Sequence, residues 1–201
     1  MKRLLSKLNS WRTRRHIARL AQEVSARQPE DNQRPVAFFN ASARLGHLSL
    51  NAAFSQLAAW GLRLAGIPIV HFVCNRGMTH CVLGTNPDKP DAPPPCATCV
   101  AQSQRLYAGA DVRWFEYRQG RSLVESLKGR DLEQLRTFSY QGIPLGHLVL
   151  PGLRWALRRQ DLKDDEATRQ LFRDYILSAY SLGQEFIAFL DEVDPRFVVL
   201  F

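Results

Sequence analysis

Short apolar runs alternate along the chain with longer segments whose apolar residues recur at helical spacing. The short runs predict four strands, at residues 35–39, 67–73, 111–117 and 196–201. The longer segments predict helices at residues 50–65, 96–106, 123–135, 148–158 and 165–193. Because strand and helix alternate, we expect an α/β domain with a mainly parallel sheet and helices on both faces.

Residues 2–27 also have a helical pattern, but it divides into two apolar faces. Asn9 and Ser10 lie between these faces and predict a break in the helix. The chain is therefore interpreted as a basic amphipathic helical segment at 1–30, a polar linker, and an α/β domain at 35–201. Pro151 is expected in the first turn of the helix at 148–158.

The positive charge of the chain is concentrated at its N-terminus. The formal net charge is +8, and residues 1–27 hold eight basic side chains against the single acid Glu23. The rest of the chain is nearly neutral, so binding of nucleic acid by the whole domain is not expected. A basic helix with Leu and Trp opposite its charges suits an anionic membrane surface. The alternative is a solvated helix that packs its apolar side on the domain.

The sequence contains neither a membrane-spanning pattern nor a secretory signal. No run of about 18 apolar residues occurs, and the N-terminus lacks the apolar core of a signal peptide. These features predict a cytoplasmic protein, peripheral at the inner membrane if the basic helix docks there. Disulfides are rare in the cytoplasm, where clustered cysteines more often serve metals or catalysis.

All four cysteines fall between residues 74 and 99, with the spacing C-x6-C-x14-C-x2-C. A C-x2-C pair can point two thiolates at one ion, so Cys74, Cys81, Cys96 and Cys99 are predicted to bind a structural zinc. His80 could replace one thiolate; zinc is the default ion, and an iron–sulfur cluster held by the four cysteines is the alternative. A bound ion would also explain how a segment rich in Pro and Gly is ordered. Two alternatives remain, namely four reduced thiols without a ligand, or a redox pair at a helix N-terminus.

The loop after the first strand is the second candidate site. Ligands of open α/β sheets bind at the carboxyl ends of strands, and this loop offers polar side chains at Asn40, Ser42, Arg44 and His47. Glu116, near the end of the third strand, is a candidate acid or base. No G-x-G-x-x-G or P-loop motif is present, so the residues do not support dinucleotide or ATP binding. The alternative is a polar connecting loop that binds nothing.

Four segments carry a resemblance to a known group of proteins. They read FFNASARLGHLSLNAAFSQLAAWGLRLAG, HFVCNRGMTHCVLGTN, PPPCATCVAQSQRLY and PRFVVLF. Together they resemble the N-terminal half of bacterial capsule-polysaccharide-biosynthesis and glycosyltransferase-like proteins. The resemblance implies the GT-B layout, in which two Rossmann-like domains enclose the active site. It implies that the second domain is missing here, and that a site would lie first at the loop of residues 40–47.

The function implied by the resemblance is the acceptor side of a glycosyltransferase-like protein of surface or capsule polysaccharide biosynthesis. Its partner would be a saccharide or lipid-linked acceptor, and a nucleotide sugar is expected only with the second domain. The chain alone is then not expected to be an active glycosyltransferase. The alternative is a noncatalytic α/β binding module whose cysteine cluster responds to metal or redox state.

Overall fold

A computed structural model describes residues 2–29, 33–41 and 49–200. Within these residues the strands are β1 Val36–Asn40, β2 Ile69–Cys74, β3 Asp111–Phe115 and β4 Phe197–Leu200. The helices are α1 Lys2–Ser25, α2 Leu50–Leu64, α3 Cys96–Leu106, α4 Arg121–Leu127, α5 Leu132–Arg136, α6 Leu145–Leu157 and α7 Glu166–Val193. In this described part, no helix combines the length and the apolar character needed to cross a membrane.

The four strands form one open, all-parallel sheet in the order β3-β2-β1-β4. Val36 of β1 pairs with Ile69 of β2 on one side and with Phe197 of β4 on the other. The chain therefore runs outward from β1 through β2 to β3 and returns to the opposite side of β1. Doubly wound folds have the same strand order around their first strand. The predicted α/β, Rossmann-like fold class is confirmed.

Internal contacts divide the chain into two compact units. The sheet unit contains Met1–Cys74, Ala97–Trp114 and Phe189–Phe201, and the helical unit contains Asn75–Cys96 and Phe115–Ala188. The predicted domain at 35–201 includes parts of both units, and its boundary with residues 1–30 stays a prediction.

Successive residues of a strand point to opposite faces of the sheet. Nearly all residues of β1 and β2 are buried, so both faces of the sheet are covered. His71 lies on one face, where its ring centroid is 4.6 Å from that of Tyr107. Phe72 lies on the other face, with its ring centroid 4.9 Å from that of Phe189 in α7. The first face also receives α2, in an apolar cluster of Val36, Phe38, Ala59 and Ile69.

The helical unit has an apolar core of its own, built from α4, α5, α6 and the first part of α7. Its fully buried members include Leu123, Leu127, Leu135, Leu153, Phe172 and Ile176. Asp165 precedes α7, and its Oδ1 accepts the N–H of Thr168 at 2.8 Å. This hydrogen bond holds the pKa of Asp165 below its usual value. The first part of the apolar face predicted for residues 165–193 thus packs into the helical unit from a capped start, whereas Phe189 packs within the sheet unit.

The predicted break in the N-terminal helix is wrong, because α1 continues through Asn9 and Ser10. Ser and Asn inside a helix cost only about 0.5 kcal/mol each relative to Ala, and no Gly or Pro falls between residues 2 and 25. Two apolar faces on one continuous helix must point in different directions, because each residue advances the helix by about 100°.

Two further predicted features differ from the structure. The helix predicted at 123–135 is divided into α4 and α5, since Gly129 takes a φ of 68° and Asp131 caps α5 in a capping box. Pro151 lies inside α6 and not in its first turn, because α6 already begins at Leu145. Because proline has no backbone N–H, Pro151 leaves the carbonyl of His147 without its helical hydrogen bond. Both residues are exposed, so water can hydrate this carbonyl.

Candidate functional site

The carboxyl end of β1 is held by the side-chain amide of Asn40, which is 7% exposed. Its Nδ2 donates to the carbonyl of Phe38 at 3.1 Å and lies 3.3 Å from Nδ1 of His71. Its Oδ1 accepts from the hydroxyl of Ser55 at 3.0 Å. One buried amide therefore joins the end of β1 to β2 and to α2.

His71 is a neutral core residue at pH 7. Its ring packs against Phe38 and Tyr107 and is almost completely buried. Burial lowers the pKa of His71 to about 4. A neutral ring can accept the Asn40 N–H at Nδ1, and its own proton then lies on Nε2. The hydrogen bonds of Asn40 thus require the uncharged form of His71.

The structure describes two of the five residues that were predicted to form a site around the first loop. Asn40 belongs to the sheet unit, and its amide is engaged in hydrogen bonds within that unit. Ser42, Arg44 and His47 lie outside the described residues. Glu116 is exposed and belongs to the helical unit, where its Oε1 accepts from Nδ2 of Asn75 at 2.7 Å. Ligand binding by these five residues stays a prediction.

The topology of the sheet nevertheless indicates where a ligand would bind. β1 and β4 are neighbours, but the chain leaves β1 toward β2 on the opposite side. In open parallel sheets such a reversal of strand order leaves a crevice at the carboxyl ends of the strands, and ligands bind there. Asn40 is the carboxyl end of β1, so the chain leaves the sheet at this switch point.

A small pocket in the sheet unit does not fit a saccharide. Its lining includes Ser25, Ile69 and Asp111. Ile69 and Asp111 are the first residues of β2 and β3, so the pocket lies at the amino ends of these strands. Its volume of about 40 Å³ holds about three water molecules. The pocket is therefore on the wrong edge of the sheet and too small for a sugar.

The segment at 75–96 is held to α7 by hydrogen bonds within the helical unit. The N–H of Thr79 donates to Oγ of Ser178 at 3.0 Å. The hydroxyl oxygens of Thr85 and Tyr175 lie 2.9 Å apart and share a hydrogen bond. These contacts order the segment through the protein itself, so its order no longer argues for a bound ion.

Cys81 lies in a polar turn of the same segment. Its Sγ accepts the N–H of Gly84 at 3.2 Å, and a hydrogen bond to sulfur favours the thiolate. Burial and the charge of Cys81 raise the pKa of Tyr175 to about 12, against the opposing effect of the Thr85 hydrogen bond. The sulfur of Cys81 therefore lies near a backbone donor and a neutral phenol.

Cys96 and Cys99 lie one turn apart at the start of α3, where the sequence predicts them. Residues three apart share one face of a helix. Burial, followed by the charge of Cys99, raises the pKa of Tyr107, so the second sulfur of the pair is close to that phenol. All four cysteines are half-buried.

Metal binding by the four cysteines stays a prediction. Cys74 and Cys99 belong to the sheet unit, and Cys81 and Cys96 belong to the helical unit. Among residues 2–29, 33–41 and 49–200, no group of three or more His, Cys, Asp or Glu side chains is arranged to hold a metal ion. The zinc and iron–sulfur hypotheses therefore depend on metal analysis.

His80 lies beside an acid that no sequence motif singles out. Its Nδ1 is 3.3 Å from Oδ2 of Asp174, without the geometry of a hydrogen bond. Neither ring nitrogen has a hydrogen-bond partner within the described part of the chain. Asp174 accepts from Gln170 at 3.2 Å, and its charge adds to burial in raising the pKa of Tyr117. His80, Asp174 and Tyr117 thus form a polar cluster in the helical unit.

The basic side chains of α1 are described from residue 11 onward. Residues 11–16 are all exposed, and they include Trp11, Arg12, Arg14 and Arg15. The guanidinium carbon of Arg15 is 4.7 Å from the ring centroid of Trp11. Ala21, further along the helix, is 1% exposed. Among the residues of α1 whose burial is described, 11–16 are therefore uncovered, and the turn around Ala21 packs within the sheet unit.

The resemblance to capsule-polysaccharide and glycosyltransferase-like proteins rests on the sequence segments alone. Comparisons of the chain with protein-family models, with curated proteins and with solved structures found no match. The predictions of function, cofactor and partner that follow from the resemblance are therefore proposals.

The burial of His71 predicts a specific loss of stability in acid. The folded protein keeps the ring neutral down to about pH 4, whereas the unfolded chain takes up a proton near pH 6.5. Lowering the pH from 6.5 to 4 should therefore reduce the free energy of unfolding by on the order of 3 kcal/mol. His71→Gln should remove most of this pH dependence in urea unfolding measured at each pH.

The matched control is the exposed residue His147, since His147→Gln should leave the pH dependence unchanged. If His71→Gln and the wild type lose stability equally between pH 6.5 and 4, His71 does not have its low pKa in the folded protein.

The cysteine pair on α3 predicts a loss of metal on substitution. Natively purified protein should contain about one equivalent of zinc, or of iron as a cluster, and the Cys96→Ser/Cys99→Ser variant should lose it. The neighbouring Thr98→Ser is the control, because it changes an exposed residue of the same turn and keeps both thiols. A wild-type content below about a tenth of an equivalent of either metal would end the metal hypothesis.

Proposed function

We propose that this chain is the acceptor-side domain of a glycosyltransferase-like protein of surface-polysaccharide biosynthesis. The observation that carries the proposal is the switch point of the all-parallel sheet, at the carboxyl ends of β1 and β4. β1 ends at that point with Asn40, whose side-chain amide is buried and hydrogen-bonded. A loop that starts from a fixed strand end is suited to position a ligand.

The side chains of this loop match the chemistry of a saccharide or lipid-linked acceptor. Ser42 and His47 can exchange hydrogen bonds with sugar hydroxyl groups. Arg44 carries a permanent positive charge and can bind a phosphate or carboxylate in bidentate fashion. Glu116 belongs to the helical unit, and its role as an acid or base stays a separate prediction.

The sugar nucleotide is assigned to a second domain, as the GT-B resemblance implies. The chain has no G-x-G-x-x-G or P-loop sequence with which to bind a pyrophosphate. We therefore expect the isolated chain to bind an acceptor but neither to bind a nucleotide sugar nor to transfer a glycosyl group.

The basic helix α1 supports a location at the cytoplasmic surface of the inner membrane. Because α1 is continuous, its apolar positions 4, 5, 8 and 11 lie about half a turn around the helix from positions 17, 20, 21 and 24. The later positions include Ala21, which is 1% exposed, so the later face is the one that packs within the sheet unit. A basic helix with a second apolar face in its sequence fits a peripheral protein whose acceptor is made at the membrane.

A second candidate function is a noncatalytic binding module that responds to metal or redox state. The hydrogen bond from Gly84 to the sulfur of Cys81 favours it, because this contact stabilises a thiolate. The half-buried pair on the first turn of α3 also favours it. Metal analysis of the α3 variant distinguishes this candidate from the acceptor-side function.

The acceptor-side function predicts binding of oligosaccharides through the first loop. Calorimetric titration of the chain with a panel of neutral and acidic oligosaccharides should detect binding of at least one. The Arg44→Ala/His47→Ala variant should weaken that binding about tenfold or more, because charged hydrogen bonds contribute about 1.5–3 kcal/mol. UDP-, GDP- and CMP-sugars should not bind.

The control for this experiment is Arg159→Ala/His147→Ala, which removes the same two residue types from exposed positions of the helical unit. Its affinity should equal that of the wild type. The acceptor-side proposal fails if no oligosaccharide binds, or if both double variants weaken binding to the same extent.

The membrane proposal predicts a preference of α1 for anionic lipid. The chain should cosediment with vesicles that contain phosphatidylglycerol more strongly than with phosphatidylcholine vesicles, and added salt should weaken the binding. Changing Arg12, Arg14 and Arg15 to Gln should reduce partitioning about 100-fold, since each basic residue contributes about 1 kcal/mol.

The same change at the exposed Arg121, Arg158 and Arg159 removes equal charge from the helical unit and should have little effect. Equal binding of the wild type to neutral and anionic vesicles would contradict electrostatic docking.

A further inference from the structure

Helix α2 of the sheet unit turns an apolar side to the solvent. We call Leu50, Phe54, Leu57, Gly61 and Leu64 the α2 face, and all five are exposed. Its four large side chains each expose between 57% and 72% of their surface. The buried side of the same helix contains the polar residues Ser55 and Gln56. Surface helices normally turn their apolar side toward the core and their polar side toward the solvent. The α2 face is therefore one that a partner would cover.

The α2 face has the spacing of a seam between two helices. Its members follow one another at intervals of four, three, four and three residues. This alternation places them in one narrow stripe, whereas a helix packed on a broad core has a wider apolar sector. Side chains at this spacing interlock with those of a second helix. The spacing therefore identifies the missing partner element as a helix.

Gly61 lies within the stripe at a position where its own chain does not require a glycine. A Cβ built at Gly61 would meet no atom within 4 Å, and a glycine inside a helix costs about 1 kcal/mol relative to alanine. A residue without a side chain lets two helix backbones approach closely. Gly61 thus fits a second helix that crosses α2 at this point.

The α2 face contains no charged side chain. Arg63, the charged residue of α2, is half-buried, and its Nη2 donates to the carbonyl of Ser25 at 3.2 Å. In a two-fold pair a charged side chain near the axis would meet its own copy and be repelled. A neutral stripe avoids that repulsion and offers nothing to attract an anionic lipid headgroup. These properties fit a second copy of the same chain.

The exposed area is also of the size that a pair needs. Each large side chain of the α2 face exposes more than half of its surface, which for Leu or Phe is roughly 100 Å² of apolar area. Two copies would then cover about 800 Å² with these side chains alone. The exposed Asn51 and Ala58 on the same side extend the contact toward the ~1,000 Å² of a specific but modest interface.

We propose that two copies of this chain associate through their α2 faces in a two-fold dimer, with the helices crossing near Gly61. The dimer rests on the sheet unit and does not depend on the proposed acceptor-side function. Its strength should be moderate, because the contact is small and almost wholly apolar.

Sedimentation velocity of the purified chain tests the dimer. Between about 1 and 100 µM the wild type should shift from monomer to dimer, as expected for a micromolar dissociation constant. Leu57→Glu places a charge in the stripe and should raise that constant tenfold or more. Leu148→Glu makes the same change at an exposed leucine of α6 in the helical unit and should leave it unchanged. Circular dichroism confirms that both variants are folded.

Gly61→Ala separates a docking role from a structural one. The open space around Gly61 predicts that the added methyl group stabilises the monomer in urea unfolding. At the proposed crossing the same methyl group should weaken the dimer. A wild type that stays monomeric at 100 µM overturns the proposal, as do equal effects of Leu57→Glu and Leu148→Glu. Leu57-dependent binding of a monomer to phosphatidylcholine vesicles would also overturn it, in favour of a membrane.

Discussion

The side-chain amide of Asn40 is the interaction on which the organisation of the sheet unit depends. It binds the backbone of its own strand, the ring nitrogen of His71 and the hydroxyl of Ser55. These groups are buried, and each would cost about 1–3 kcal/mol if it were left without a partner. The amide therefore fixes β1 against β2 and α2 at the point where the chain leaves the sheet. A loop that starts from this point begins from a rigid support, whatever ligand it binds.

The same amide explains why His71 belongs to the support and not to the chemistry. The ring accepts the Asn40 N–H only when it is neutral, and its burial among aromatic rings keeps it so. The small pocket beside it lies at the amino ends of the strands, away from the switch point. Function is therefore proposed for the residues that follow Asn40 in the chain, whereas Asn40 and His71 themselves hold the strand ends together.

Local patterns were sufficient for the strands and for most helices. The strands β1 and β2 read as short apolar runs because both of their faces are buried. The start of α3 at Cys96 follows from the prolines before it, because prolines lack the backbone N–H that a helix interior needs. Gly129 and the capping box at Asp131 are local signals for the division between α4 and α5. The apolar residues on either side keep a helical spacing across it, which is why one continuous helix was predicted.

Long-range contacts were what the sequence could not supply. The segment at 75–96 is ordered by Ser178 and Tyr175, which lie more than 80 residues away in the chain. The one local signal was a serine on the otherwise apolar face of α7, and no pattern links it to Thr79. The outward direction of the α2 face was hidden for the same reason, since apolar residues at helical spacing normally indicate the buried side.

The most direct test of the central claim is a map of where an acceptor binds. Backbone amide NMR spectra of the ¹⁵N-labelled chain, titrated with the oligosaccharide that binds best, report the affected residues one by one. The largest shifts should fall on residues 40–49, at and after the carboxyl end of β1, and the cysteine segment at 75–96 should change little. Shifts confined to the cysteine segment, or none at saturating saccharide, would contradict it.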